Sequence, residues 1–185
     1  AQPRRICFRV VLVARGDGGR GYHDDYFNSG FQSVPIDLNG DGIQELVTGS
    51  DIYDVDGQTI CSTGYSDGYP AVADLDGDGK GEIVVTGNEA LRIFEDDCTL
   101  LNEWTTAGYG YGGPSTIADF DGDGEPEITV ADKERFTLYE VDGSAVWSIA
   151  TDETSSGATA SSVFDFDGDG AAEVVYGDEL ALWVL

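Results

Sequence analysis

The chain has 185 residues, a single-domain length that can bury a sizeable core. Its 36 acidic residues against 9 basic ones leave a net charge of −27, which argues against a nucleic-acid partner, because phosphate binding needs a basic face. No apolar run is long enough to span a membrane: the best, residues 6–14, is short and carries Arg9.

Residues 6–14, Ile-Cys-Phe-Arg-Val-Val-Leu-Val-Ala, read as a strand rich in β-branched side chains. Around them Arg4, Arg5, Arg9, Arg15 and Arg20 form a basic arm on an acidic body, suited to docking on this chain or on a neighbour. A merely solvated terminus is the alternative. Residues 15–30 are a glycine-rich loop with aromatics. It contains Arg15-Gly16-Asp17, an adhesion-type tripeptide that is a weak match in a chain with 26 glycines. The only histidine, His23, precedes Asp24 and Asp25, a cluster that could act as acid and base or hold a metal. It lacks an evident nucleophile, so the chain is expected not to be an enzyme, with His23, Asp24 and Asp25 as the catalytic alternative. Residues 1–30 are thus read as one unit and 31–185 as another.

The second unit is a repeat. Asp37-Leu-Asn39-Gly-Asp41-Gly-Ile43-Gln-Glu45 returns as Asp74-Leu-Asp76-Gly-Asp78-Gly-Lys80-Gly-Glu82. It returns again as Asp119-Phe-Asp121-Gly-Asp123-Gly-Glu125-Pro-Glu127 and as Asp165-Phe-Asp167-Gly-Asp169-Gly-Ala171-Ala-Glu173. A recurrence of this length means one supersecondary unit per repeat. Acidic oxygens at loop positions 1, 3 and 5 can converge on one point if the chain curls, and glycines at 4 and 6 permit that curl. Backbone carbonyls at position 7 (Ile43, Lys80, Glu125, Ala171) and the glutamate at position 9 would complete an all-oxygen cage suited to calcium, about one ion per repeat. An EF-hand is rejected, because its glutamate stands at position 12 and helices flank it. Plain Asp-Gly hairpin turns would explain one copy, but not four with the same downstream glutamate.

Short apolar strands flank every loop. In the third copy Thr116-Ile117-Ala118 leads in and Glu127-Ile128-Thr129-Val130 leads out. Residues 136–139 make a third strand, and an Asp142-Gly143 turn returns a fourth, 145–149. Four short strands per unit predict an all-β protein of four propeller-type blades, each of four antiparallel strands. The last copy supplies strands at 162–164, 173–176 and 180–185 and lacks its fourth. The strand at 6–14 is expected to fill that vacancy, in the same chain or in a second copy.

These loops, with Pro70-Ala-Val-Ala-Asp74 before one and Glu82-Ile-Val-Val85 after it, resemble the FG-GAP or VCBS-type repeat of integrin-α-like β-propellers and many secreted bacterial proteins. The resemblance covers about residues 31–185. It implies that each loop joins the first two strands of a blade and binds calcium. Asn39 departs from the pattern and leaves the first loop one charge poorer, and the resembling propellers commonly have about seven blades.

Millimolar calcium and disulfides both belong outside cells. Cys7, Cys61 and Cys98 lack zinc spacing. One bridge with a thiol left over, a bond to another subunit and plain buried thiols all remain open. The chain has no methionine, and Ala1-Gln2 could follow a removed signal peptide. The expectation is an extracellular or cell-surface structural or adhesive module that contacts proteins, copies of itself included. The rival is a glycan-binding module or an accessory domain of a polysaccharide-active enzyme, with Tyr109 and Tyr111 available to stack on sugars or to pack between blades.

Overall fold

The computed structural model describes residues 32–108, 110–154 and 159–185. The strand expected at 6–14, the glycine-rich loop, Arg15-Gly16-Asp17, Cys7, Tyr109 and the His23-Asp24-Asp25 cluster lie outside the described residues.

The described residues are all-β and fold as four antiparallel sheets, each a meander of consecutive strands. The first sheet holds β1 (Val34–Ile36), β2 (Glu45–Val47), β3 (Asp51–Tyr53) and β4 (Thr59–Ser62). The second holds β5 (Tyr69–Ala73), β6 (Glu82–Gly87), β7 (Ala90–Phe94) and β8 (Leu100–Thr105). The third holds β9 (Thr116–Ala118), β10 (Glu127–Asp132), β11 (Arg135–Tyr139) and β12 (Ala145–Ala150). The last has three strands, β13 (Ser161–Phe164), β14 (Glu173–Gly177) and β15 (Leu182–Val184). These are propeller-type blades, one per repeat, as the spacing predicts.

The core lies between the sheets. Leu38 of the first loop and Val47 and Ile52 of the first sheet pack on Ile83, Val85 and Phe94 of the second. Val84, Leu91 and Ile93 then meet Ile128, Val130 and Tyr139 of the third, and Ala131 and Phe136 meet Val174 and Tyr176 of the last. The first strands of successive sheets approach one another, β1 near β5, β5 near β9 and β9 near β13. The burial pattern follows from this stacking. β6 and β10 are buried along their whole length, because a sheet covers each face, and they bury polar residues such as Thr86, Thr129 and Asp132 among the apolar ones. β2 and β14, in the first and last sheets, are buried only at alternate residues.

The repeat extends to irregularities. The pairing of third and fourth strands shifts register at Ile52/Tyr53, Ile93/Phe94 and Leu138/Tyr139, the same place in three blades. The turn that follows needs a left-handed residue: Gly57 has φ 76° and Gly143 has φ 88°. In the second blade Cys98 takes that position with φ 69°, and it is disulfide-bonded to Cys61 of the first blade. Of the alternatives open for the cysteines, the described residues thus show an intrachain bridge, and it joins two blades.

The last strand is shorter than expected. Asp178 is the reason: its Oδ1 accepts the backbone N–H groups of Leu180 (2.9 Å) and Ala181 (2.7 Å), and its Oδ2 accepts Trp183 Nε1–H (2.9 Å). Residues 178–181 therefore form a turn, and β15 begins only at Leu182.

Candidate metal sites

Each loop joins the first two strands of its blade and is folded by its own aspartates. The position-1 carboxylate accepts the N–H of the glycine at position 6, as in Gly42→Asp37 (2.8 Å), Gly79→Asp74 (3.0 Å), Gly124→Asp119 (3.0 Å) and Gly170→Asp165 (3.2 Å). The side chain at position 3 accepts the N–H of position 5, from Asn39 (2.9 Å) through Asp76 (3.0 Å) to Asp121 and Asp167 (both 3.1 Å). Asp41, Asp78, Asp123 and Asp169 do the same for position 7. This tight spiral is possible because positions 4 and 6 are left-handed, with φ from 74° at Gly40 to 102° at Gly170.

The glutamate at position 9 opens the second strand and reaches back. One oxygen of each accepts the N–H of loop position 2: Glu45 from Leu38 (2.9 Å), Glu82 from Leu75 (2.5 Å), Glu127 from Phe120 (2.7 Å) and Glu173 from Phe166 (2.7 Å). The carboxylate is thereby fixed beside the aspartates.

The spiral gathers charge. In the third loop Asp119, Asp121, Asp123 and Glu127 offer oxygens all within 4.8 Å of one another. Asp74, Asp76 and Asp78 do so in the second loop, and Asp165, Asp167 and Asp169 in the fourth. These acidic clusters could hold a metal ion. Among the described residues the first loop, with Asn39 at its third position, is not one of these groups.

A test of fit comes from buried oxygens. Glu82 and Glu127 are 1% and 0% exposed, and the Oε1 of each is buried without a hydrogen-bond partner, as is Asp37 Oδ1. A buried unpaired carboxylate oxygen is costly unless a cation compensates it. Burial accordingly pushes the Glu82 and Glu127 carboxyls above the usual range, and neighbouring loop carboxylates add to the shift. An oxygen-rich, anionic donor set of this kind fits a hard divalent cation.

Two further carboxylates face the loops, and motif reading missed them. Glu95 lies near Asp76 and Asp78, and Glu140 near Asp121 and Asp123. Burial and these charges raise both their pKa values. The signal was present in sequence as an acidic residue after the third strand of three blades, in Tyr53-Asp54, Phe94-Glu95 and Tyr139-Glu140, but only the strand pairing gives it meaning.

Away from the loops an open cleft of about 540 Å³ is lined by Lys133, Glu134, Arg135, Thr151 and Asp152, among others. Among the described residues no helix is long and apolar enough to cross a membrane.

A model of the FG-GAP-like repeat matches residues 74–130 and 119–176. The chain belongs to the FG-GAP-like repeat family. No curated protein matches it in sequence. Among solved structures, it resembles the V. cholerae biofilm matrix protein Bap1 (TM-score 0.57, 21% identity), over 73% of this chain and 25% of that one. It also resembles the Bacillus licheniformis rhamnogalacturonan lyase PL11 (TM-score 0.58, 20% identity, 80% and 39% covered). The exotype rhamnogalacturonan lyase YesX is similar too (TM-score 0.56, 21% identity, 80% and 38% covered). The chain thus spans well under half the length of these structures. At such identities the likeness concerns the fold, which a matrix protein and lyases share.

Proposed function

We propose that this chain is a calcium-stabilised structural module that works outside the cell through contacts with proteins, copies of itself included, without catalysis of its own. The observation that carries the calcium reading is the pair of buried, unpartnered oxygens on Glu82 and Glu127 beside clusters of aspartates. Three acidic or amide side chains at positions 1, 3 and 5, the carbonyl of Ile43, Lys80, Glu125 or Ala171, and the following glutamate would hold one ion per loop. Calcium takes about 6–8 oxygens in flexible geometry, whereas magnesium demands a stricter octahedron and keeps several waters. The ion would supply positive charge where each loop has concentrated negative charge, and so tie the first two strands of each blade together.

The Cys61–Cys98 bridge supports an oxidising compartment. Contact with other proteins is supported by apolar side chains left exposed on and beside the last sheet: Phe164 (63%), Phe166 (57%), Leu180 (79%), Leu182 (75%) and Val184 (57%). Fold likeness to a protein described as a biofilm matrix component agrees with this reading. Light scattering on the purified chain, with calcium and then with chelator, tests it. Calcium-dependent dimers or larger particles are expected, and a monomer at every concentration in calcium contradicts the contact role.

A second reading, binding of a glycan, is favoured by the open cleft whose polar lining of Lys133, Glu134, Arg135, Thr151 and Asp152 offers both donors and acceptors to sugar hydroxyls. Selective, saturable binding on a glycan array that Lys133→Ala and Arg135→Ala abolish would move the assignment there.

A further inference from the structure

In the second blade Ile83 of β6 pairs with Phe94 of β7. Past that pair the two strands continue to Glu82 and to Glu95. In the third blade Ile128 pairs with Tyr139, and the residues beyond are Glu127 and Glu140. The charge of Glu95 reaches Glu82 and that of Glu140 reaches Glu127, and like charges held close on neighbouring strands destabilise a sheet. Both places lie at the loop end of the sheet, and in both an acid stands near a glutamate that is already buried with one oxygen unpartnered. Among the described residues neither Glu95 nor Glu140 enters an ion pair; the two that occur are Lys80–Asp96 and Arg92–Glu103. In the third blade even the position of Lys80 is taken by an acid, Glu125, so no side chain of the loop offsets the charge.

We propose that Glu95 and Glu140 belong to the cation sites of the second and third loops, each as a further carboxylate delivered by the turn after its blade's third strand. The inference rests on the calcium reading above. It makes these two sites composite, built from both hairpins of a blade, so that one ion joins the first, second and third strands. In the first blade Asp54 takes the corresponding place, next to Tyr53, which pairs with Leu46 beside Glu45. The Oδ1 of Asp54 instead accepts the N–H groups of Asp56 (2.9 Å) and Gln58 (2.8 Å) within its own turn. The first loop is also the one with Asn39. Two of the four sites therefore carry more charge than the sequence motif confers, and charge count is one determinant of calcium affinity in oxygen cages.

The test is a calorimetric calcium titration of the full chain and of Glu95→Gln/Glu140→Gln, with Glu134→Gln as control, since Glu134 sits in the turn at the opposite end of β11. Two of the bound ions should be held at least about threefold more weakly in the double variant. Thermal melts add an opposite-signed pair of effects. Without calcium the double variant should melt above wild type, and the rise that calcium produces should be smaller. Glu95→Asp/Glu140→Asp, which keeps the charge, should retain most of the affinity. A double variant that titrates like wild type overturns the proposal, as does one that melts lower by the same margin with and without calcium. If the wild-type chain itself takes up no calcium, the calcium reading fails first and this inference falls with it.

Discussion

Within the second, third and fourth loops the aspartates do two things at once: they fold the spiral by accepting backbone N–H groups, and they bring oxygens within 4.8 Å of one another. The glycines make the spiral accessible. Gly124 has φ 93°, where a Cβ is strained although nothing lies within 4 Å of it. Gly124→Ala should cost about 1–2 kcal/mol in stability, read by urea unfolding, through the backbone alone. Asp178 gives a pH signature. Its carboxyl is held down at about 2, first by the Asp152 N–H and then by Trp183. A folded pKa below the unfolded value near 3.8 means stability that is present above about pH 4 and lost as pH falls through about 2. Asp178→Ala should therefore unfold at lower urea than wild type at pH 6, and the gap should narrow between about pH 4 and pH 2. A gap of constant size would contradict that assignment. The loop carboxylates and glycines were legible in the sequence because their spacing is local. Glu95 and Glu140 were not, since only the ladder between β6 and β7, or β10 and β11, brings them to the loops.

At the scale of elements, the sequence pattern located the strands of the third and last blades, because apolar segments and Asp-Gly turns recur in fixed order. It misjudged the start of β15, where the Asp178 side chain diverts two backbone N–H groups into a turn. It also left the cysteine pairing open, because the positions of Cys7, Cys61 and Cys98 along the chain do not say which of them meet in space. Stacking resolves this, since Cys61 on β4 and Cys98 in the next blade's turn come to a Cα–Cα distance of 6.0 Å. Replacing both by serine should lower unfolding free energy by about 2–4 kcal/mol, by the chain-entropy estimate for a loop of this size. Between the third and last sheets Phe136 stacks on Tyr176 with ring centroids 4.4 Å apart. Phe136→Ala should cost about 3–5 kcal/mol in urea unfolding, because it opens a cavity in a contact that is closed on both sides. A loss under about 1 kcal/mol would mean that the sheets do not depend on that stacking.

At the scale of the whole molecule, 185 residues with a net charge of −27 must be held compact against self-repulsion. The charge is not spread evenly: it is gathered into loops where each blade begins, and in two blades a second hairpin adds to it. Bound cations would turn that liability into a tie between strands. Since only the folded chain presents the loops, each site stabilises it by about 2.7 kcal/mol when free calcium is about 100-fold above Kd. The most direct measurement is thermal unfolding of the chelator-stripped protein as calcium is added back, with bound metal counted at each step. The account predicts a melting temperature that climbs with calcium and levels off near one ion per loop. An unchanged melting temperature with metal verifiably removed would contradict it.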